Sequence, residues 1–583
     1  MTALRFHDHM RGPLGLGSRT PNDGARRGRL RRSRLSFDVD IAIGDVDAFL
    51  RDPEHVAAVT GHVDCEELGG RLRVESGTFN LFRDDDAQRT MRMRYRLFLR
   101  DEQGREATLS GFKDIADDPG ADAWRDATTL LIRVLSGHVE EAAERDDPPA
   151  TTRSTVAAGI LRISAPGFLA LLASMRASGG TLLARLDTRR RFAWLFVGRL
   201  RRVFRGVPAQ DHQDDFPDSF APGSERFAGY PPGTWHHPPE LEDGLERRIL
   251  GLRTADGRDL TLHQLRGPAP PTRGPVLLIH GAGVRANLFY GPPGRPSFVA
   301  ALVEEGYDVW LENWRASIDL GVRDYTLDQA ALHDHPLAMA TVLERSGESS
   351  LKVLCHCQGS TSFVITALAG LAPDVSRVVS SAVSLHPVVP WASKLKLTFL
   401  RPVLARLTPI VSAQWGVRPP TPLGWLVARW AALVRRECPD PVCALANYMY
   451  GAGGDVLWRH ANLDAETHDW TAREFGFAPM SFLRQMARSV QAGHLVPVDG
   501  LSRLPPSYVD AELPDETPWT FVAGDRNRLF TAESQRRTHA WFDERQPGLH
   551  RLEILGGYGH LDLFYARDAQ ARAFPVLLAA LEG

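Results

Sequence analysis

The residues Cys355-His356-Cys357-Gln358-Gly359 follow a short apolar run and precede Ser360-Thr361-Ser362-Phe363, giving the pattern small-x-Cys-x-small. Such a pattern describes a buried strand that turns into a helix so sharply that the residues at minus two and plus two must be small. Cys355 and Gly359 meet that demand. Centring the pattern on Ser360 would put Gln358 at minus two, where its bulk would clash. Cys357 is therefore the candidate nucleophile, and Ser360 reads as a helix-start residue whose hydroxyl satisfies free backbone donors. A thiol at such a turn points to acyl transfer. Cys355 and His356 imitate metal-ligand spacing, but a strand sends them to opposite faces, so no metal is expected there.

A nucleophile of this kind works with an acid and a histidine that follow it in the chain. Trp519-Thr520-Phe521-Val522-Ala523 reads as a buried strand running into Gly524-Asp525, which makes Asp525 the acid candidate. The run Leu552 to Leu555 ends in Gly556-Gly557-Tyr558-Gly559-His560, a flexible loop that makes His560 the base candidate. Asp562, two residues on, is a second carboxylate that could orient the histidine or cap the last helix. Val276-Leu277-Leu278-Ile279 reads as a central strand followed by His280-Gly281-Ala282-Gly283. There, glycines let backbone N–H groups come close, and the N–H groups of Ala282 and Gln358 are the expected oxyanion donors.

From about Glu246 to Gly583 the chain resembles the α/β-hydrolase family, and locally the acid lipases of the lysosomal and gastric type. The resemblance rests on His280-Gly281, on Gly306-Tyr307-Asp308-Val309-Trp310-Leu311-Glu312-Asn313, on the cysteine turn, and on Gly559-His560-Leu561-Asp562-Leu563-Phe564. It implies a Cys357-His560-Asp525 triad in which His560 deprotonates the thiol and later protonates the leaving group, while Asp525 fixes the imidazole tautomer. Those lipases carry serine in a G-x-S-x-G box. Cysteine at this place is similar instead to dienelactone hydrolases and polyhydroxyalkanoate synthases. A thiolate is a strong nucleophile but a better leaving group than an alkoxide, so thioesters, activated esters and lactones suit it well. The expected function is hydrolysis of carboxylic esters of lipids through an acyl-enzyme. Thioesterase or acyltransferase activity, and a catalytically silent lipid-binding protein, stand as alternatives.

At 583 residues the chain should hold about two to four domains. A net charge of -2 gives no reason to expect nucleic acid. Five cysteines, an odd number without regular spacing, argue against a disulfide framework and for a reducing, cytoplasmic compartment. Cys438 and Cys443 could nevertheless pair. The first 34 residues carry Arg26-Arg27, Arg29, Arg31-Arg32 and Arg34 without the apolar core of a signal peptide, and read as a disordered basic arm.

The expected class is α/β: an α/β-hydrolase sheet with a helical cap, preceded by an α+β domain rich in antiparallel strands. That first domain, residues 35–180, shows period-two alternation in Met91-Arg92-Met93-Arg94-Tyr95-Arg96-Leu97, the mark of a half-buried strand. Further strands are expected at Phe37 to Ile43, Arg71 to Phe82, Ala107 to Lys113 and Thr128 to Val134, with helix near Gly167 to Arg176, forming a curved sheet with one apolar face. The region resembles the accessory segment of cholesterol-oxidase-like flavoproteins of the glucose-methanol-choline group in Gly77-Thr78-Phe79-Asn80-Leu81-Phe82, Gly111-Phe112-Lys113 and Trp124-Arg125-Asp126-Ala127-Thr128-Thr129-Leu130. The resemblance implies sterol or other bulky lipid substrates and a flavoprotein partner. No G-x-G-x-x-G opens a strand-turn-helix here, so no flavin or other cofactor is expected.

Residues 181–245 hold a basic amphipathic stretch up to Gly206 and a linker rich in proline, aspartate and histidine. Two readings of the stretch stand side by side, a helix packed on either domain with a solvated arginine face and a helix lying in a membrane interface. His236-His237 lacks ligand spacing and reads as solvated loop. The hydrolase domain, residues 246–583, should open with a hairpin over Ile249 to Gln264 around Asp256-Gly257. Its cap, about residues 389–506, mixes apolar and basic side chains as a lid over a hydrophobic pocket would.

Overall fold

A computed structural model describes residues 2–583 apart from 53, 86–89, 116–127, 142–153, 182–183, 186, 189, 193–244, 293, 321–323 and 420. The flavoprotein-like motif at Trp124 to Ala127, most of the basic stretch before Gly206, the linker and His236-His237 lie outside the described residues. The chain forms two compact units, one from its N-terminal part and one from the chain that follows His236.

The first unit is built on β1 (Ala3–Leu16), β2 (Arg34–Ile43), β3 (Val56–Cys65), β4 (Gly70–Asp85), β5 (Thr90–Arg100), β6 (Glu106–Ile115), β7 (Thr129–Ser136), β8 (Thr155–Arg162) and the short β9 (Arg176–Ser178). Neighbouring strands pair antiparallel in the order β2-β3-β4-β5-β6-β7-β8-β1, and β1 pairs back onto β2, so the sheet closes into a barrel. This corrects the expectation of a disordered arm over residues 1–34. Leu4, Phe6, Met10 and Leu14 are buried at the period of a strand, and the closing strand they form removes both edges of the sheet. Arg26, Arg27, Arg29 and Arg31 of the supposed arm belong to the helix Pro21–Arg31, where Arg26 is buried against Asp23 at 2.8 Å. Asp8 interrupts the apolar alternation of β1 and is buried, accepting from the Tyr95 hydroxyl at 2.7 Å. Phe192, from the basic stretch, is buried against Phe6 and Phe49.

The second unit opens with the expected hairpin, β10 (Glu246–Arg253) and β11 (Asp259–Arg266), turning at Gly257. Then come β12 (Pro275–Ile279), β13 (Asp308–Asn313), β14 (Leu351–His356), β15 (Val375–Ser381), β18 (Trp519–Gly524) and β19 (Arg551–Leu555). The sheet order is β10-β11-β13-β12-β14-β15-β18-β19, with β10, β11 and β13 paired antiparallel and every later pairing parallel. Parallel strands need helical crossovers that cover both faces, which is why β12 and β18 are buried throughout and are almost wholly apolar, Thr520 excepted. The order reverses between β12 and β14. Crevices at the carboxyl ends of strands flanking such a reversal are where open α/β sheets bind ligands.

The long connection from β15 to β18 carries the cap. It includes the helices Pro422–Val434, Pro441–Tyr450 and Met480–Ala492 and the small antiparallel pair β16 (Ile410–Ser412) and β17 (Phe477–Pro479). Among the described residues no helix is long and apolar enough to cross a membrane.

Candidate active site

Cys357 stands between β14 and the helix Gln358–Leu368 with φ 54° and ψ -120°. A non-glycine residue at positive φ is costly and persists only where its surroundings fix it. Here the Cys357 N–H donates to Ser381 O at 2.9 Å, and the Ser360 hydroxyl donates to Cys355 O at 2.7 Å and Ser381 O at 3.1 Å. Ser360 thus clamps the turn. The small residue at plus two is explained by distance, because a Cβ on Gly359 would lie 2.5 Å from His280 O and 2.7 Å from Ile279 O. Gly281 is also tightly placed, since a Cβ there would sit 3.0 Å from Cys357 Cβ and 3.4 Å from Sγ.

The backbone N–H groups of Ala282 and Gln358, expected as oxyanion donors, both lie near enough to the Cys357 sulfur to favour a thiolate. Burial pushes the Cys357 thiol up to about 12, against the pull of hydrogen bonds from the Gln358 and Ala282 backbone N–H groups. Tyr450 donates to Ala282 O at 2.8 Å and so fixes that loop from the cap. Tyr325 and Tyr450 both lie close enough that a thiolate at Cys357 would oppose their ionisation. The Tyr325 hydroxyl is buried without a hydrogen-bond partner among the described residues. Neither tyrosine stands out in the sequence, since no spacing ties them to the turn.

His560 is buried beside the turn, its ring 4.8 Å from that of His356, and burial lowers its pKa to about 3. The partner of its Nδ1 is Asn527 Nδ2 at 3.0 Å. This corrects the expectation for Asp525. That carboxylate accepts from Gly557 N–H at 2.7 Å, is over a third exposed, and makes no bond to the imidazole among the described residues. After β18 the chain turns at Gly524, with Asn527 N–H donating to Gly524 O at 3.3 Å, and residue 527 rather than 525 meets the histidine. Asp562 is also elsewhere, accepting from Gly559 N–H, Arg459 N–H and Asn462 Nδ2 at 2.7, 3.1 and 2.6 Å.

The Asn527 amide has one orientation, because its Oδ1 accepts from the Leu529 and Phe530 N–H groups at 3.0 and 3.1 Å. Nδ2 therefore faces the ring. A donor facing Nδ1 requires that nitrogen to be bare, so the neutral imidazole carries its proton on Nε2. The resting site pairs a neutral thiol with a neutral histidine in the tautomer opposite to the one a carboxylate would select.

A Ser-His-carboxylate arrangement lies elsewhere in the core. His335 Nδ1 meets Glu312 at 2.9 Å and its Nε2 meets the Ser362 hydroxyl at 2.7 Å, all three side chains being fully buried. Ser362 sits one turn into the helix that follows Cys357, so this chain of bonds anchors the helix rather than meeting a substrate.

The left-handed cysteine at the end of β14, together with a sheet whose second strand alone runs against seven others, decides the architecture. The second unit is an α/β-hydrolase fold. No family model matches the chain. Among curated proteins the chain is similar to Sterol esterase 2 of Saccharomyces cerevisiae, 28% identical over 137 residues, 21% of this chain and 25% of that protein. It is similar also to Lipase member K of Homo sapiens, 27% identical over 169 residues, 27% of this chain and 40% of that one. The chain thus spans a quarter to two fifths of these relatives. Solved structures similar to it include a thermostable carboxyl esterase from Bacillus coagulans, at 15% identity and TM-score 0.40, covering 58% of this chain and 98% of that one. Epoxide Hydrolase A from Mycobacterium thermoresistibile has 20% identity and TM-score 0.35, covering 58% and 99%.

Proposed function

We propose that this protein hydrolyses carboxylic esters of lipids through an acyl-enzyme on Cys357. The observation that carries the reading is the sulfur held at a strained turn before two backbone N–H groups, those of Ala282 and Gln358. Sγ attacks the ester carbonyl carbon, the two N–H groups hold the oxygen that takes the charge, and the thiol proton passes to His560 Nε2. His560 then returns that proton to the leaving alcohol, and water cleaves the thioester. The imidazole must carry its own proton on Nδ1 for this, so the reactive tautomer is not the resting one. Reaching it requires the Asn527 amide to give up the bonds its Oδ1 accepts from the Leu529 and Phe530 N–H groups.

The cap supports a lipid substrate. Trp391 and Phe399 are 76% and 69% exposed, and Trp425, Leu426, Trp430 and Leu433 are more than half exposed on the helix Pro422–Val434. So much exposed apolar surface fits a lipid interface, with tryptophan at the boundary. Behind it, Leu397, Leu400, Leu404, Val411, Met449 and Met480 line an apolar groove suited to an acyl chain. The names of the sterol esterase and lipase relatives point the same way.

A second reading, a lipid-binding protein without turnover, is favoured by the neutral thiol and the Nε2-protonated histidine. Turnover of p-nitrophenyl acyl esters and acyl thioesters of several chain lengths, by the wild type and Cys357→Ala, separates the two when combined with mass spectrometry of the trapped protein. An acyl adduct on Cys357 and turnover lost in the variant support the hydrolase. Product formed only when an alcohol or thiol is added identifies an acyltransferase, and lipid bound with no adduct supports the second reading.

A further inference from the structure

Four side chains of the cap, none of them used in the site above, bring two sulfurs and two imidazole nitrogens together. Cys438 precedes the helix Pro441–Tyr450 and Cys443 lies in its first turn, where Asp440 caps it by accepting from the Val442 and Cys443 N–H groups. His460 opens a turn that ends at Asn462, and His468 lies on the helix Ala465–Thr471. Cys438 Sγ is 3.4 Å from His468 Nε2, Cys443 Sγ is 3.4 Å from His460 Nε2, and one donor atom from each of the four lies within 4.8 Å of every other.

We propose that Cys438, Cys443, His460 and His468 bind one zinc ion as a closed structural site. Zinc bonded to sulfur at about 2.3 Å and to nitrogen at about 2.0–2.1 Å in a tetrahedron sets neighbouring sulfur and nitrogen roughly 3.5 Å apart, which is the spacing found. Two thiolates and two imidazoles are a donor set that selects zinc over magnesium or calcium. Four protein ligands leave no position for water, so the role is structural.

Independent features around the cluster match the needs of a metal. His460 Nδ1 meets Asp455 Oδ1 at 2.6 Å, which turns Nε2 inward and makes it the bare nitrogen, as second-layer carboxylates do for zinc-bound histidines. The sulfurs receive donors of their own, Asp440 N–H on Cys438 at 3.4 Å and Asn447 Nδ2 on Cys443 at 3.5 Å, which help to balance thiolate charge. Trp458 packs edge-on to both histidines and supplies an apolar wall. A Cys438–Cys443 disulfide, the pairing considered from sequence, would leave the two converging Nε2 atoms unexplained. The sequence gives little sign of the site, since its ligands are spread over residues 438–468 with irregular spacing.

The site would also hold the histidine loop. Arg459 and Asn462, on either side of His460, both bond Asp562, Asn462 Nδ2 donates to Gly557 O at 2.9 Å, and Leu561 N–H donates to Leu457 O at 2.8 Å. Those contacts span His560 on both sides. Metal binding in the cap therefore positions the loop that carries His560.

The test is made on the full-length chain purified under reducing conditions without chelator. Elemental analysis should find about one zinc per chain, and the metal-free protein should take up Co²⁺ with the visible bands of a tetrahedral site and the ultraviolet band of thiolate-to-cobalt charge transfer. Cys443→Ser and His468→Ala should lose the metal. Asp455→Asn, which leaves all four ligands in place, should weaken zinc binding about tenfold or more. Cobalt binding to the wild type decides the matter even where a ligand variant fails to fold. A wild type that holds no zinc and takes up no cobalt, a Cys438–Cys443 disulfide under reducing purification, or cobalt bands unchanged in the ligand variants would each overturn the proposal. None of these readouts depends on esterase activity.

Discussion

Asn527 donates from Nδ2 to His560 Nδ1 across 3.0 Å, at the place where a carboxylate would accept from the ring. The ring proton is thereby held on Nε2, while burial keeps the imidazole neutral and the Cys357 thiol protonated up to about 12. Replacing Asn527 by aspartate should reverse this. One carboxylate oxygen can accept the Leu529 and Phe530 N–H groups as Oδ1 does now, and the other can accept Nδ1–H, which leaves Nε2 bare as a base.

Alkylation of Cys357 by iodoacetamide, followed by mass spectrometry, measures the difference directly. In the wild type the rate should rise about tenfold per pH unit from pH 7 to 10 without a plateau, because the thiolate fraction grows throughout that range. Asn527→Asp should react roughly ten- to hundredfold faster at pH 7, with a shoulder where the imidazole titrates. Equal rates in the two proteins would show that the ring proton does not limit the thiol.

The turn at Cys357 was legible in the sequence because its demands are local. Gly359 is required by backbone oxygens, whereas Ser360, expected to satisfy free backbone donors, instead donates its hydroxyl to two carbonyls. The partner of His560 was not legible, because Asp525 and Asn527 lie two residues apart after one strand and only the turn at Gly524 decides which meets the ring. The strand Ala3–Leu16 was hidden by basic and glycine-rich neighbours and by Asp8, a charge in an inward position that Tyr95 satisfies from a distant strand.

Acid should destabilise the hydrolase unit before its carboxylates titrate. His280 is lowered to about 4, His560 to about 3, and His356 well below its ordinary value, each by burial first. Unfolded, each takes a proton near pH 6.5. Below that pH the unfolded chain holds more protons, so stability complete above about 6.5 is lost as pH falls towards the folded values, by about 1.4 kcal/mol per pH unit for each group. The urea midpoint should be flat from pH 8 to 6.5 and fall between 6.5 and 5, less steeply in His356→Gln. A midpoint constant to pH 5 would mean that these rings are charged in the folded protein.

The exposed cap should carry the protein onto lipid. Trp391→Glu combined with Phe399→Glu places charge where apolar surface now meets solvent. Binding to phosphatidylcholine vesicles, followed by sedimentation, should drop about tenfold or more. Hydrolysis of a short water-soluble ester should be unchanged. Vesicle binding that survives both substitutions would move the lipid contact away from this part of the cap.

The buried Glu312-His335-Ser362 chain makes a contrasting prediction, because it has the residue types of a catalytic triad but no access. Its bonds of 2.9 and 2.7 Å tie β13 to the helix after Cys357, and burial raises the Glu312 pKa. Ser362→Ala should leave alkylation of Cys357 and any ester turnover within about twofold of wild type, while lowering stability by about 1–3 kcal/mol for the unpaired imidazole nitrogen. Glu312→Ala should cost more, about 3–5 kcal/mol, since it removes one partner of a buried pair. If Ser362→Ala instead abolished turnover in a protein whose urea midpoint and Cys357 reactivity were intact, the nucleophile would be the serine and the elbow cysteine would lose its assigned role.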